Sequence, residues 1–332
     1  MDAFQRRHPV VGFPVAVVYK YIDDQGPYLA AIITYYSFIA IFPLMLIASS
    51  VLGFLIQGND ELRQDLLDTA LSTFPIVGQQ LGRPDGLQGS AGAVIVGSIA
   101  ALYGVLGLAA AAQHALNVAW ALPRNSRFNP IVGRFRGFVT FMLAGSVLIL
   151  TTLASITLAN LGSLQPTIDA WVERAGALGS LVLIAVILAL MMRYTTARRP
   201  SFRTCLPGAI LIAALWQGLQ YAGGVYVNRV ISATSEMNSV FALVLGLVGL
   251  LFLAASSAVV GIEVSVVAKE RLYPRALLTP FTDRVHLTEA DRRAYTGYAK
   301  ATRLKGFQRI HVEFDDNGLS HGPGNGPGNG FD

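Results

Sequence analysis

Charged side chains are scarce in this 332-residue sequence, which contains 14% Asp, Glu, Lys and Arg but 53% hydrophobic residues. Soluble domains carry about 25% charged residues. The deficit is uneven, because long stretches of the chain carry no charge at all. Such stretches leave too little polar sequence for a large globular unit, and we therefore expect an integral membrane protein.

Cysteine and catalytic motifs are also lacking. Cys205 is the single cysteine, which excludes an intrachain disulfide and a metal site built from several thiolates. The sequence has no glycine-rich phosphate loop of the Walker type, no His-x-x-x-His spacing and no serine elbow. We therefore expect a protein that is not an enzyme and that carries no cofactor and no metal.

Apolar segments are what the sequence has in abundance. A transmembrane helix needs roughly 17–25 apolar residues, and because lipid offers no hydrogen bonds to the backbone, such segments must be helical. The expected fold is all-α, a polytopic bundle of six transmembrane helices. The six segments are Leu29–Ile56, Ala91–Ala115, Gly137–Leu161, Ala177–Met192, Leu206–Val227 and Val240–Ile262.

The distribution of Lys and Arg predicts the orientation of this bundle. With six spans, 21 of the 25 basic residues fall on one side and 4 on the other. Basic connections stay on the cytoplasmic side, which places both termini in the cytoplasm. An odd number of helices would destroy the alternation, so charge supports the count of six independently of hydropathy.

The segments outside the membrane domain (29–267) are short. Residues 1–28 form a cytoplasmic amphipathic segment in which Val11, Val15, Val18 and Ile22 have helical spacing. An external amphipathic helix is predicted at about 60–74. The basic cytoplasmic tail, 268–305, contains a capping-box sequence at Thr288–Asp291 that predicts a helix to about Leu304. Residues 306–332, rich in Gly, Pro and Asn, are predicted to be disordered.

A few polar residues and one proline interrupt the apolar segments. Pro43 predicts a kink in the first helix, either a hinge or a static bend. His114, Asn117 and Glu263 lie at the inner ends of the second and sixth helices. Ionisable groups at membrane depth are candidates for function, and these three could form a polar gate in which His114 pairs with Glu263. The alternative is that they reach the headgroups or fasten the helices together.

Small residues recur every four positions on two of the predicted helices. Such stripes let helix backbones approach closely in membranes, so both helices are expected to be buried in the bundle. The stripes are Ala100/Gly104 with Gly107/Ala111/Ala115, and Ala214/Gly218/Ala222.

The basic cytoplasmic loops favour lipid over nucleic acid. They lack the interleaved aromatic residues on which bases stack, whereas anionic headgroups attract basic residues at this face. We expect headgroup contacts from the arginines of the two loops and no nucleic-acid partner. These arginines are Arg124, Arg127, Arg134, Arg136, Arg198, Arg199 and Arg203.

The membrane region resembles the YihY/BrkB family of bacterial inner-membrane proteins, in particular its YhjD-like branch, over about residues 24–267. The resemblance rests on short motifs spread along the chain. They contain Tyr35, Tyr36 and Pro43 in the first helix, Asn117 and Trp120 after the second, Pro207, Gly208 and Trp216 in the fifth, and Gly261 and Glu263 in the sixth.

The resemblance implies a multi-pass protein of the bacterial inner membrane. The family was once labelled ribonuclease BN, a name regarded as a misassignment, and some of its members are associated with export of envelope precursors. The expected function is a transporter or flippase of an envelope lipid or an amphipathic solute. The alternative is a non-catalytic scaffold in an envelope-synthesis complex, with envelope-synthesis proteins or a second copy as partners. A membrane-bound nuclease or hydrolase has the least support.

Overall fold

The computed structural model describes residues 5, 8–55, 91–162, 169–226, 229, 236–277, 279 and 285–314. Within these residues the fold is all-helical. The α-helices are α1 (Pro9–Asp23), α2 (Gly26–Leu55), α3 (Ala91–Ala119), α4 (Pro130–Gly162), α5 (Asp169–Thr195), α6 (Phe202–Tyr226), α7 (Glu236–Glu270) and α8 (Glu289–Ala301).

Helices α2 to α7 coincide with the six apolar segments predicted from the sequence. Four described segments are long and apolar enough to cross a membrane, namely Ile95–Ala119, Leu178–Thr195, Phe202–Tyr226 and Phe241–Glu270. Gly26–Ile41 of α2 is a shorter apolar helix. The chain is therefore a multi-helix membrane protein, while the number of six spans and their orientation remain predictions.

The six long helices pack in a ring. Each helix from α2 to α6 packs against the next one along the chain, and α7 packs against both α6 and α2, which closes the ring. The amphipathic helix α1 lies against α7 and α2. Helices that are neighbours in sequence are therefore neighbours in space, as in an up-and-down helix bundle.

The main hydrophobic core lies at one end of this ring. It joins Val17 of α1, Trp120 after α3, Met192 of α5, Ile212 of α6 and Val266 of α7, together with Ala294 of α8. The carboxyl ends of α3, α5 and α7 meet the amino end of α6 there, as the alternation of spans requires. We call this the capped end, because α1 and α8 cover it, and it carries the arginine-rich connections.

The stripe of small residues on α3 was predicted correctly to be buried. A Cβ atom built at Gly104 would lie 2.7 Å from Cα of Ala40, and Ala111 and Ala115 are buried. A Cβ atom at Gly107 would overlap the ring of Tyr36. Side chains larger than these would separate α3 from α2.

The stripe on α6 was predicted wrongly to be buried. Ala214, Gly218 and Ala222 are exposed, and a Cβ atom built at Gly218 would meet nothing within 4 Å. Helix α6 uses another face for packing, with Gly208, Ala209 and Ile212 buried. The stripe therefore lies on an exposed face of α6, because this helix carries small residues on more than one face.

The predicted apolar stripe of α1 faces away from the protein. Val11, Val18 and Ile22 are exposed, which suits a helix lying on an apolar surface. The opposite face, with Ala16 and Lys20, is buried. This burial of a lysine was not expected.

The capping box at Thr288 is confirmed. The Thr288 side chain accepts a hydrogen bond from the backbone N–H of Asp291, and the Asp291 carboxylate accepts one from the N–H of Thr288. Helix α8 ends at Ala301, slightly before the predicted end. The described chain continues to Phe314, whose ring centroid lies 5.8 Å from the Arg292 guanidinium.

Other predictions remain untested. Helix α2 continues past Pro43 to Leu55, and the kink at Pro43 stays a prediction. The external helix at about 60–74 and residues 315–332 of the end predicted to be disordered (306–332) lie outside the described residues.

Candidate functional site

Three charged side chains are buried together at the capped end. The ammonium of Lys20 lies 2.5 Å from Oδ2 of Asp24 and 3.4 Å from Oε2 of Glu263. The exposed fraction of these side chains is 2% for Lys20 and Asp24 and 0% for Glu263. The ring of Tyr298 covers the ammonium, with its centroid 5.2 Å from Nζ. We call Lys20, Asp24 and Glu263 the lysine cluster.

A second ionic cluster is centred on Arg275, whose side chain is fully buried. Its Nη2 donates to Oδ2 of Asp23 at 3.0 Å, and its Nε donates to Oδ1 of Asp291. The ring centroid of Tyr295 lies 5.4 Å from the guanidinium carbon. We call Arg275, Asp23 and Asp291 the arginine cluster.

Local structure positions these groups. The i, i+4 spacing of Lys20 and Asp24 at the end of α1 places both side chains on one face. Asp23, the neighbour of Asp24, reaches the other cluster, so α1 links the two. Asp291 is held by the capping box of α8 and also accepts the N–H of Ala276 at 2.9 Å. One carboxylate therefore caps a helix and balances Arg275.

The pKa values of the groups outside the spans reflect this burial. Burial by itself lowers the pKa of Lys20, but the carboxylates of Glu263 and Asp24 outweigh it and raise the pKa above its ordinary value. Burial likewise opposes the charge of Arg275, and Asp291 and Asp23 raise its pKa nevertheless. For Asp23, burial outweighs Arg275 and raises the pKa. Both cations are thus held charged by carboxylates.

The three residues of the predicted gate do not come together as expected. Glu263 is fully buried and has Lys20 as its ion-pair partner, whereas His114 is exposed, with Arg127 and Arg124 as the neighbouring charges. Asn117 is buried, and its Oδ1 accepts no hydrogen bond from the described residues. The suggested pairing of His114 with Glu263 is therefore replaced by a pairing with Lys20, since α1 packs on α7 at this depth.

The arginines predicted to contact headgroups surround the same end of the bundle. Arg127 donates to the carbonyl oxygen of Leu122 and Arg136 to that of Tyr194. Arg198 pairs with Glu270 at 2.8 Å. The exposed members are Arg124, Arg134, Arg198, Arg199 and Arg203.

Several residues of the sequence motifs have packing roles. A Cβ atom built at Gly208 would overlap the carbonyl oxygen of Gly261, and one built at Gly261 would overlap Ile212. These glycines bring α6 and α7 into contact beside the lysine cluster. Trp120 is buried in the core of the capped end. Tyr36 packs against Tyr35 with ring centroids 5.2 Å apart.

The family model described as Virulence factor BrkB matches residues 17–284, more than three quarters of the sequence. The chain belongs to this family. The resemblance stated from the sequence motifs is confirmed. No curated protein and no solved structure matches the chain significantly.

The BrkB match covers only part of the two ionic clusters at the capped end. It includes Lys20, Asp24, Glu263 and Arg275, whereas α8, which supplies Asp291 and Tyr298, follows its last residue. In this BrkB chain the second half of the arginine cluster therefore comes from the tail. Sequence reasoning missed both clusters, and the available signal was the i, i+4 pair Lys20/Asp24 within an otherwise apolar helix.

Proposed function

We propose that this BrkB-family protein is a transporter or flippase for an envelope lipid or an amphipathic solute. It would span the bacterial cytoplasmic membrane six times, with both termini in the cytoplasm. The observation that carries the proposal is the lysine cluster, a set of ionisable groups buried at the capped end, where α1 packs against α7.

Buried charges are poor contributors to stability. Desolvation costs several kcal/mol per ion, and apolar replacements of buried ion pairs are often neutral or stabilising. A chain built mainly from apolar helices has cheaper means of fastening α1 to α7. Ionisable groups at such positions mark ion and substrate pathways in membrane proteins, which supports a transport role over a purely structural one.

The gate is revised accordingly. In the revised gate, Lys20 and Asp24 replace His114 as the charged neighbours of Glu263, and Asn117 is the other predicted residue that is buried. The exposed arginines around the capped end would attract an anionic headgroup to the mouth of this gate. A substrate with an anionic head and an apolar tail fits both features.

The test is translocation of a fluorescent anionic phospholipid in proteoliposomes containing the purified full-length chain. We expect translocation well above the rate of protein-free vesicles, and a clear loss in Glu263→Gln. Glu270→Gln is the matched control, because Glu270 lies on the same helix but its side chain is 37% exposed. A rate equal to that of empty vesicles contradicts transport, and a normal rate in folded Glu263→Gln contradicts the gate.

A scaffold remains the second candidate, because the tail exposes apolar residues. Phe307 is 88% exposed and Leu304 is 54% exposed, and both follow the end of α8. Exposed large apolar side chains near basic residues suit a protein contact.

Purification in mild detergent separates the two candidates. A stoichiometric partner that is retained by the wild-type chain and lost in the double variant Leu304→Ser, Phe307→Ser supports the scaffold. Purification of the chain alone, with translocation in vesicles, contradicts it.

A further inference from the structure

The lysine cluster contains more negative than positive groups. Two carboxylates, those of Asp24 and Glu263, face a single ammonium, that of Lys20, and all three side chains are almost fully buried. With every group ionised, the cluster has a net charge of −1. An uncompensated buried charge is costly in a medium of low dielectric constant, and such groups usually bind a proton instead.

Hydrogen bonding distinguishes the two carboxylates. Asp24 accepts the short hydrogen bond from Lys20. Glu263 lies farther from the ammonium, at 3.4 Å, and neither of its oxygens accepts a hydrogen bond from the described residues. A buried ionised carboxylate whose cation is this distant is less well compensated than one that accepts a short hydrogen bond. Glu263 is therefore the better proton acceptor of the pair.

Among the residues that the structure describes, no other cation balances Glu263. From α1 and its end come Lys20, Asp23 and Asp24, and after α7 comes Arg275, which is shared between Asp23 and Asp291. Helix α8 brings Asp291, Tyr295 and Tyr298 to these clusters.

The described side chains that the other neighbours of α7 pack against it at this depth are uncharged. The packing faces of α2 and α3 bring the apolar side chains of Leu29, Ala30 and Ala115. Helix α6 brings Gly208, Ile212 and the buried thiol of Cys205.

We propose that Glu263 and Asp24 share one exchangeable proton beside Lys20, and that this proton is the ion coupled to transport. Binding transfers a proton from a hydronium ion to a carboxylate oxygen of Glu263: one O–H bond of hydronium breaks, the O–H bond of the carboxylic acid forms, water is released, and the charge of the cluster changes from −1 to zero. The coupling of this proton to transport rests on the proposed transport function. The sharing of the proton does not.

Infrared spectroscopy of the full-length protein in lipid vesicles tests the proton site directly. The wild-type protein should show the C=O stretching band of a protonated carboxylic acid at neutral pH. The band should shift in heavy water and disappear as the pH becomes alkaline. It should be absent from Glu263→Gln and unchanged in Glu270→Gln, whose native side chain forms a half-exposed ion pair with Arg198. A wild-type protein without the band, or a Glu263→Gln protein that retains it, overturns the proposal.

A second variant keeps the test decisive if Glu263→Gln fails to fold. Asp24→Asn leaves one carboxylate facing Lys20, so Glu263 should be ionised at neutral pH and the band should again be lost. Folding is checked by the protection of Cys205, which is buried, from a thiol-reactive dye. A folded Asp24→Asn protein that keeps the wild-type band contradicts proton sharing.

The coupling is tested with the same vesicles under an imposed pH gradient. The gradient should change the rate of lipid translocation by the wild-type protein and leave that of Glu263→Gln unchanged. A wild-type rate insensitive to the gradient overturns the coupling even when the infrared band is present. A wild-type protein that moves no lipid contradicts the proposed function, while the infrared result still decides the proton site.

Discussion

Arg275 shows how much depends on a single buried side chain at the capped end. Its guanidinium bonds to the carboxylates of Asp23 and Asp291, which belong to α1 and α8. Removing it would leave the fully buried carboxylate of Asp291 and the partly buried carboxylate of Asp23 without their cation. Breaking a buried ion pair by removing one partner costs about 3–5 kcal/mol.

We therefore expect Arg275→Met to lower the stability of the chain by about 3–5 kcal/mol. The matched control is Arg198→Met, which breaks the half-exposed pair with Glu270 and should cost about 0–1 kcal/mol. Both losses of stability are measured by thermal unfolding in detergent, with the reaction of Cys205 with a thiol-reactive dye as the readout. Equal losses in the two variants would show that Arg275 has no special weight.

Tyr298 is the opposite case, because its buried hydroxyl group lowers the stability of the fold. Its hydroxyl oxygen accepts and donates no hydrogen bond among the described residues. Leaving a buried polar group unsatisfied costs about 1–3 kcal/mol. Tyr298→Phe should therefore raise the free energy of unfolding at neutral pH by up to about 3 kcal/mol.

The same substitution should change the response to alkali. Burial, followed by the charges of Asp24, Asp23 and Glu263, raises the pKa of Tyr298 above its ordinary value of 10.0. The unfolded chain then releases the phenol proton at a lower pH than the folded chain does, so stability is retained below pH 10.0 and falls as the pH rises beyond it. Circular dichroism melts should show a smaller alkaline loss in Tyr298→Phe than in the wild type. The exposed Tyr28 provides the control, and an equal loss in Tyr28→Phe and Tyr298→Phe would contradict this account.

At the scale of elements, contacts between helices depend on where backbones meet. Gly208 of α6 faces the carbonyl oxygen of Gly261 of α7, and no Cβ atom fits between them. Because the obstruction is backbone, a rotamer change cannot relieve it, and the helices would have to separate.

Gly208→Ala should therefore destabilise the chain by about 1–3 kcal/mol, the usual cost of overpacking. On the same helix, Gly218 faces open space, so Gly218→Ala should gain up to about 1 kcal/mol from helix propensity. The Cys205 dye assay reports both changes, because this buried thiol lies one turn from Gly208. A neutral Gly208→Ala variant would mean that α6 and α7 are less closely packed than described.

The elements themselves were largely predictable from the sequence, for a simple physical reason. An uncharged run must satisfy its backbone hydrogen bonds internally, so hydropathy marked the helices from α2 to α7. Local chemistry marked the start of α8, since Thr288 and Asp291 are only three residues apart. The face that each helix buries was less predictable, as the α6 stripe at Ala214 and Gly218 shows.

The candidate site was predicted only in part, because its members are distant in sequence. Glu263 was singled out as an ionisable residue at the end of an apolar run. Its partner Lys20 is 243 positions earlier, and nothing in the spacing relates the two. Arg275 resembled one more basic residue of a cytoplasmic tail, and only the fold shows that it is buried between Asp23 and Asp291.

At the scale of the whole molecule, the ring gathers the basic connections at one end. The segments that follow α3, α5 and α7 all contribute to the core of the capped end, through Leu122, Ala197 and Leu272. This gathering agrees with the unequal distribution of 21 and 4 basic residues. From the rule that basic loops stay inside, we predict that the capped end, with α1, α8 and both ionic clusters, faces the cytoplasm.

Labelling with a membrane-impermeant thiol reagent tests this orientation in intact cells. In a Cys205→Ala background, cysteines at Asn125 and Ser201, both exposed, should react only after the membrane is permeabilised. A cysteine at Asp68, in the segment between the first two helices, should react without permeabilisation, because six spans place that segment outside. Labelling of Asn125→Cys in intact cells would place the capped end outside. The proposed proton would then reach Glu263 from the periplasm and not from the cytoplasm. The pH gradient that speeds lipid translocation would have the opposite orientation.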